Sequence, residues 1–335
     1  MNNTPTSPKN RLSSYTAKNP QAGFSLIELM VAGTISLLMM AAILQLLLDF
    51  SRTNDEMANS NVQMENGRFS LQIIGHDLSH AGFWNDYLPS AAPVMTVPKV
   101  CDPFDNLDDE GKEKLLKIPV QSFQSMPEDC KGVFGVNKED SDVLVVRYVS
   151  TCAVGGAGCA PLDSRRIYFQ ASSCEGEKPY VFALGAASFG LKKRDCLALA
   201  ERRRYVINVY FVRDDSTLMQ AQLAGGGADD WQIQPLVDGV ESLIVELGRQ
   251  ENSAGNVSVS FDRCPIGGCD AGALSDVIAA KVYVLVRNAK VSPGYVDVKK
   301  YQLGGVSIEP GGGFKRHVYS TSVRLHNLAN RRGAP

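Results

Sequence analysis

At Gly23-Phe24-Ser25-Leu26-Ile27-Glu28-Leu29-Met30, a polar N-terminal segment gives way to an apolar run. Glu28 is a carboxylate near the start of that run, and an ionisable group inside a membrane-length helix is costly. Its presence there indicates a function. An ordinary secretory signal is cut after its apolar region, at a site of small residues.

The apolar run is long enough to cross a membrane. Leu29–Leu48 contains 20 residues without a formal charge. At the standard helical rise such a run spans about 30 Å, the thickness of a hydrocarbon core. Basic residues favour the cytoplasmic side, so we expect residues 1–23 in the cytoplasm, a single pass, and everything after Phe50 in the periplasm. The basic residues that precede the run are Lys9, Arg11 and Lys18.

The junction resembles the processing site of type IV prepilins and type II secretion pseudopilins in its glycine–aromatic pair, its glutamate and its long apolar run. The resemblance implies that a prepilin peptidase removes residues 1–23 by cutting between Gly23 and Phe24, and that the new amine of Phe24 is methylated. It also implies that Glu28 meets the N-terminal amine of a neighbouring subunit. Two alternatives stay open: Glu28 is only part of the peptidase signal, or the helix is an uncleaved anchor.

The helix is expected to continue beyond the membrane, because no proline occurs between Pro20 and Pro89. We predict one helix from Phe24 to about Ala81, with a membrane-spanning half at residues 24–50 and an amphipathic periplasmic half at residues 51–83. An apolar stripe at helical spacing is predicted to dock on a globular domain, with Gln63 and Gln72 exposed on the opposite face. The stripe consists of Met57, Met64, Leu71, Ile74, Leu78 and Ala81.

Residues 84–335 are interpreted as a β-rich globular domain of the periplasm. Runs rich in Val, Ile, Tyr and Phe are bounded by Gly, Asp and Pro, as strands are by turns. Residues 86–140 are interpreted as an irregular insertion with one short helix at 108–116. A large antiparallel sheet packed on the long helix predicts an α+β, pilin-like fold. The predicted strands are 143–149, 166–170, 180–184, 205–213, 217–223, 231–237, 242–247, 277–287 and 318–325.

Five further stretches resemble the minor pilins of the PilW type. Residues 64–71 and 76–83 lie at the end of the predicted helix, and residues 236–243, 280–287 and 316–325 lie in the second half of the chain. The resemblance implies a low-copy subunit that helps to start or cap a type IV pilus. The J-type pseudopilins of type II secretion have a similar plan and are the alternative.

All eight cysteines lie after residue 100, in the part assigned to the oxidising periplasm. This distribution predicts a disulfide framework, although the sequence leaves the pairing open. A zinc site is disfavoured, because the close pairs are spaced more widely than in most zinc sites. Nearest-neighbour pairing gives Cys101–Cys130, Cys152–Cys159, Cys174–Cys196 and Cys264–Cys269.

Three other groups are interpreted as structural. His76 and His80 lie four residues apart on the helix, but two ligands do not make a metal site. The acidic residues within 102–110 lack the glycine and register of an EF-hand, so a solvated loop is favoured over calcium binding. The arginines at 202–204 are weak evidence for nucleic-acid binding on a chain of net charge −2.

We expect a structural subunit rather than an enzyme. The sequence offers no Ser-His-Asp, Cys-His or paired-carboxylate pattern, and no cofactor or metal is expected. The expected partners are the prepilin peptidase, inner-membrane lipid, other minor pilins and the adhesin at the pilus tip, without nucleic acid. A membrane-tethered binding domain or enzyme is the alternative of a different class.

N-terminal sequencing of the protein from inner membranes tests the processing site. We expect the mature chain to begin at Phe24 with a methylated amine, because Gly23 presents no side chain to the peptidase. A chain that begins at Met1, or after residue 48, would contradict a prepilin-type junction.

Overall fold

The computed structural model describes residues 23–90, 92–227, 230–253 and 256–331. The predicted leader therefore lies outside the described residues, apart from Gly23. The chain divides into two compact units, residues 1–55 and residues 56–335.

The first unit contains the start of the long helix. Helix α1 (Leu26–His80) begins just after the Gly23-Phe24 pair and ends one residue before the predicted end. Its residues from Leu26 to Phe50 are exposed. Among the described residues, α1 is the one helix that is long and apolar enough to span a membrane.

The second unit holds the remainder of α1 and a β-rich domain. Its short helices are α2 (Asp109–Lys117), α3 (Lys131–Phe134), α4 (Ala271–Ser275) and α5 (His326–Arg331). Its strands are β1 (Val120–Phe123), β2 (Val143–Ala153), β3 (Ile167–Ala171), β4 (Tyr180–Leu184), β5 (Arg202–Val212), β6 (Thr217–Leu223), β7 (Trp231–Asp238), β8 (Val240–Ser253), β9 (Asn256–Arg263), β10 (Val277–Arg287), β11 (Tyr301–Leu303), β12 (Val306–Ile308) and β13 (Arg316–Arg324).

Strand β5 is the centre of the larger sheet, in which all pairings are antiparallel. Strand β2 runs along one side of β5, while β3 and β6 share the other side at its two ends. The sheet continues outward through β1, β4 and β7. Strand β1 and helix α2 both come from residues 86–140, so this segment supplies an edge strand and is more regular than its composition indicates.

A smaller antiparallel sheet has the strand order β13-β10-β8-β9, and β11 pairs with β12 in a separate hairpin. The long helix and antiparallel sheets confirm the predicted α+β class. Each predicted strand corresponds to an observed one, whereas β1, β9, β11 and β12 were not predicted.

Both faces of the larger sheet are buried. Side chains alternate along a strand, so Leu144 and Val146 enter a core shared with α1 and the smaller sheet. Val143 and Val145 instead face a second core, which is rich in aromatic side chains and includes Trp84. Because both faces are buried, the sequences of β2 and β5 contain long, nearly continuous apolar runs.

The docking face of α1 differs from the predicted stripe. Met57 and Met64 are 60% and 38% exposed, whereas Gln63, predicted to be exposed, is 7% exposed. The prediction was therefore wrong for the first half of the stripe and right for its second half. The buried face comprises Gln63, Gly67, Ser70, Ile74, Asp77 and Leu78 of α1 and Ala81 directly after it. Its first five members follow one another at alternating intervals of four and three residues.

Small and polar residues replace large apolar ones there because β13 approaches the helix closely. A side chain added at Gly67 would overlap the ring of Tyr319. One turn earlier, the Gln63 amide donates hydrogen bonds to the carbonyl oxygens of Val286 at 2.7 Å and Lys315 at 3.0 Å. We call this buried face, from Gln63 of α1 to Ala81 directly after the helix, the docking seam.

The two glutamines on α1 provide a matched test of the docking seam. We expect Gln63→Ala to lower the free energy of unfolding by about 1–3 kcal/mol, because two carbonyls lose their donor. Gln72→Ala, at an exposed position, should change it by less than about 0.5 kcal/mol. Thermal unfolding of the detergent-solubilised protein measures both. Equal effects would show that Gln63 does not hold the helix to the sheet.

Candidate assembly site

Glu28 forms a capping box at the start of α1. Its carboxylate accepts a hydrogen bond from the backbone N–H of Ser25 at 2.9 Å, and the Ser25 hydroxyl accepts one from the N–H of Glu28 at 3.2 Å. The first N–H groups of a helix have no intrahelical partner, and this pair satisfies two of them. Gly23 and Phe24 directly precede the cap, and Phe24 is 89% exposed.

The capping box gives Glu28 a local role beside the one that the resemblance implies. A serine followed three residues later by a glutamate is the sequence signal for this motif, and it was overlooked in the sequence analysis. Glu28 is exposed, so its carboxylate can make a second contact while it caps the helix.

In the second unit, polar contacts hold α1 at both ends of the docking seam. Lys315 Nζ lies 2.6 Å from a carboxylate oxygen of Glu56, and this hydrogen bond lowers the pKa of Glu56. At the other end, Arg331 of α5 donates to the carbonyl oxygen of Gly82 at 2.6 Å. The Asn327 amide donates to the carbonyl oxygen of Ala81 at 3.1 Å. The residue before β13 therefore contacts α1, and α5 contacts the two residues that directly follow α1.

Asp77 connects the docking seam to the larger sheet. It is buried, and its carboxylate accepts hydrogen bonds from the hydroxyls of Tyr148 at 2.8 Å and Tyr210 at 2.6 Å. The Asn208 amide donates to it as well. Burial, with the Asp77 carboxylate alongside, raises the pKa of both tyrosines, so they stay protonated donors. The network continues to Gln220, whose amide donates to Tyr210.

The cysteines form four disulfides, and none of the eight is free. The pairs do not converge on one site; each closes a segment of 29 residues or fewer. Cys264–Cys269 closes the turn between β9 and α4, and the other pairs lie in the part of the chain around the larger sheet. The bonded pairs are Cys101–Cys130, Cys152–Cys159, Cys174–Cys196 and Cys264–Cys269.

The acidic segment 102–110 has structural contacts. Asp108 caps α2 by accepting a hydrogen bond from the N–H of Gly111 at 2.7 Å, and Glu110 pairs with Lys114 at 2.8 Å. The carboxylates of Asp108 and Glu110 therefore both stabilise α2.

The histidines and the arginine run also have structural contacts. The rings of His76 and His80 are 4.5 Å apart, and His80 Nδ1 lies 2.8 Å from the carbonyl oxygen of His76. Arg203 donates to the carbonyl oxygen of Ser150 at 3.2 Å, and Arg202 lies over the ring of Phe189. The histidine contacts thus lie within α1, and the arginines contact neighbouring segments.

Comparison with known proteins yields two family matches. Residues 209–327 match the family model described as Type IV Pilus-assembly protein W, and residues 18–44 match the prokaryotic N-terminal methylation motif. A type IV-like pilin from Thermus thermophilus is 10% identical, with the alignment covering 79% of this chain and 96% of that chain at a TM-score of 0.37. No curated protein matches the chain. The methylation motif and the apolar helix indicate membrane anchoring and incorporation into a pilus.

A substitution of Asp77 tests the network. Asp77→Ala removes the shared acceptor of three donors, and each buried donor left unpaired costs about 1–3 kcal/mol. We expect a loss of about 3 kcal/mol or more in the free energy of unfolding, measured by urea titration in detergent. Glu65→Ala, at an exposed position of the same helix, is the control and should be nearly neutral. A neutral Asp77→Ala would contradict a structural role for the network.

Proposed function

We propose that this chain is a PilW-type minor pilin that helps to initiate type IV pilus assembly and remains at the pilus tip. One observation carries the proposal: a methylation-type junction at residues 18–44 and a PilW-type domain at residues 209–327 occur in the same chain. A pilin is a structural subunit that interacts with other pilins, and the two matches agree with a non-catalytic role.

Before assembly, the protein crosses the inner membrane once, with residues 24–50 in lipid and the β-rich domain in the periplasm. The prepilin peptidase cuts between Gly23 and Phe24, and the amine of Phe24 is methylated. The exposed apolar surface of α1 from Leu26 to Phe50 supports this arrangement, because lipid or other pilin helices would cover it.

Glu28 positions α1 among the packed helices of the assembling pilus. An amine and a carboxylate in lipid are each costly, and pairing them offsets much of that cost. The exposed carboxylate of Glu28 therefore attracts the Phe24 amine of an adjacent subunit, while the Ser25 hydroxyl keeps the helix start ordered.

The size of the second unit supports a low-copy role. It spans residues 56–335, which is large for a subunit that repeats along the whole filament. Its partners in the proposed complex are other minor pilins and an adhesin-like tip protein.

Two substitutions separate the charge of Glu28 from its capping role. Glu28→Gln keeps an oxygen that can accept from the Ser25 N–H but removes the charge, whereas Ser25→Ala removes the hydroxyl and keeps the charge. We expect Glu28→Gln to reduce pilus number sharply, because an unpaired buried charge costs about 3–5 kcal/mol. Ser25→Ala should cost only about 0.5–2 kcal/mol of helix stability and leave piliation near normal.

Electron microscopy counts surface pili, and immunoblots of inner membranes confirm that both variants are processed and present. Glu65→Gln is the control for an exposed glutamate elsewhere on α1. Normal piliation with Glu28→Gln, or a defect confined to Ser25→Ala, would contradict the pairing mechanism. Normal piliation after deletion of the whole gene would contradict a role in pili, and a secretion defect in that strain would favour the J-type pseudopilin instead.

A further inference from the structure

The segment that connects β10 to β11, residues 288–300, exposes three valines. Val291, Val296 and Val298 are 55%, 69% and 88% exposed. Exposed apolar side chains scattered singly are common, but three within eight positions of one loop form a patch. We call residues 288–300 the valine loop.

The valine loop is held by buried contacts. Asp297 is 3% exposed and accepts hydrogen bonds from Arg316 Nη1 at 2.8 Å and the Tyr301 hydroxyl at 3.0 Å. Its backbone N–H donates to the carbonyl oxygen of Gly312 at 2.7 Å. Because Asp297 is fixed inward, strand-like alternation directs its neighbours Val296 and Val298 outward.

The exposed charge of the valine loop is positive. Lys290 and Lys299 are exposed beside the valines, and Lys300 pairs with Glu309 at 2.8 Å. The acidic residue of the loop, Asp297, is buried against Arg316 and contributes no surface charge. The surface thus combines apolar side chains with unopposed ammonium groups.

The valine loop lies beside the part of α1 that follows the apolar run. Lys315 Nζ is 5.9 Å from the centroid of the Tyr295 ring and 2.6 Å from the carboxylate of Glu56. Glu56 comes six residues after Phe50, the end of the predicted span. This separation is fewer than two helical turns.

We propose that the valine loop binds the membrane surface, with its valines at the boundary between headgroups and acyl chains and Lys290 and Lys299 on anionic phospholipid headgroups. This inference rests on the proposed membrane anchoring of α1. Apolar side chains flanked by basic ones are the composition that binds such an interface. Lysine is depleted at the centres of protein interfaces, which disfavours another pilin as the occupant. The loop sets the domain against the bilayer before the subunit is extracted.

Lipid quenching of a single fluorophore tests the proposal on the full chain. All native cysteines are paired, so Val298→Cys provides one thiol for an environment-sensitive dye. Leu197→Cys is the control, because Leu197 is 83% exposed and lies outside the valine loop. Each labelled protein is reconstituted into vesicles of phosphatidylcholine, with or without phosphatidylglycerol, that contain brominated lipid.

We expect quenching at position 298 and little at position 197, with stronger quenching in the vesicles that contain phosphatidylglycerol. Charge reversal by Lys290→Glu with Lys299→Glu, or high salt, should reduce the signal at 298 toward that at 197. Equal signals at the two positions would overturn the inference. So would a label at 298 that is protected only when other minor pilins are added, which would indicate a protein partner.

Flotation of the same samples separates this inference from the proposed function. If the protein does not float with the vesicles and resists insertion, the proposed anchoring itself fails. If it floats but position 298 is not quenched, only the membrane contact of the valine loop fails.

Discussion

Helix α1 has to satisfy two environments with one continuous backbone. Its first half carries apolar side chains on all sides, which suits lipid or neighbouring helices, and its second half must attach to a β-rich domain. The attachment is made through the docking seam, where Gly67 leaves room for the ring of Tyr319. Gln63 donates hydrogen bonds to the carbonyl oxygens of Val286 in β10 and of Lys315 directly before β13. The positions of β13 and β10, and through them the smaller sheet, depend on this contact.

The Asp77 network gives the same contact a fixed register. Apolar side chains such as Ile74 and Leu78 can pack in several neighbouring positions, because their attraction has no direction. Hydrogen bonds require defined distances and angles, so three donors from the larger sheet on one carboxylate hold the helix at one axial position. The helix is thereby tied to both sheets.

Sequence reasoning recovered the fold class and most strands, because β-branched and aromatic runs between turns are strong local signals. It missed β11 and β12, which have three residues each, and the edge strand β9, in which serine alternates with apolar residues. The family matches confirm the resemblance read from the N-terminal junction and the C-terminal stretches.

The predicted apolar stripe differs from the observed docking seam for a physical reason. Hydrophobic periodicity locates a face only where the buried side chains are mainly apolar, as Ile74, Leu78 and Ala81 are. Near Gln63 and Gly67 the partner is a closely approaching strand, so small and polar residues are buried while Met57 and Met64 stay exposed. The four-and-three spacing of Gln63, Gly67, Ser70 and Ile74 was present in the sequence, but its residue types concealed it.

Some partners of the docking seam lie about 250 residues further along the chain, and this affects the order in which the contacts of the seam can form. Tyr319 of β13 contacts α1 at Gly67, and Asn327 and Arg331 of α5 contact Ala81 and Gly82 directly after α1, each across about 250 positions of sequence. Contacts so distant along the chain form late. During synthesis, Gly67 and the end of α1 therefore lack these partners until residues 319–331 have left the ribosome, and a product truncated before them would leave that part of the face uncovered.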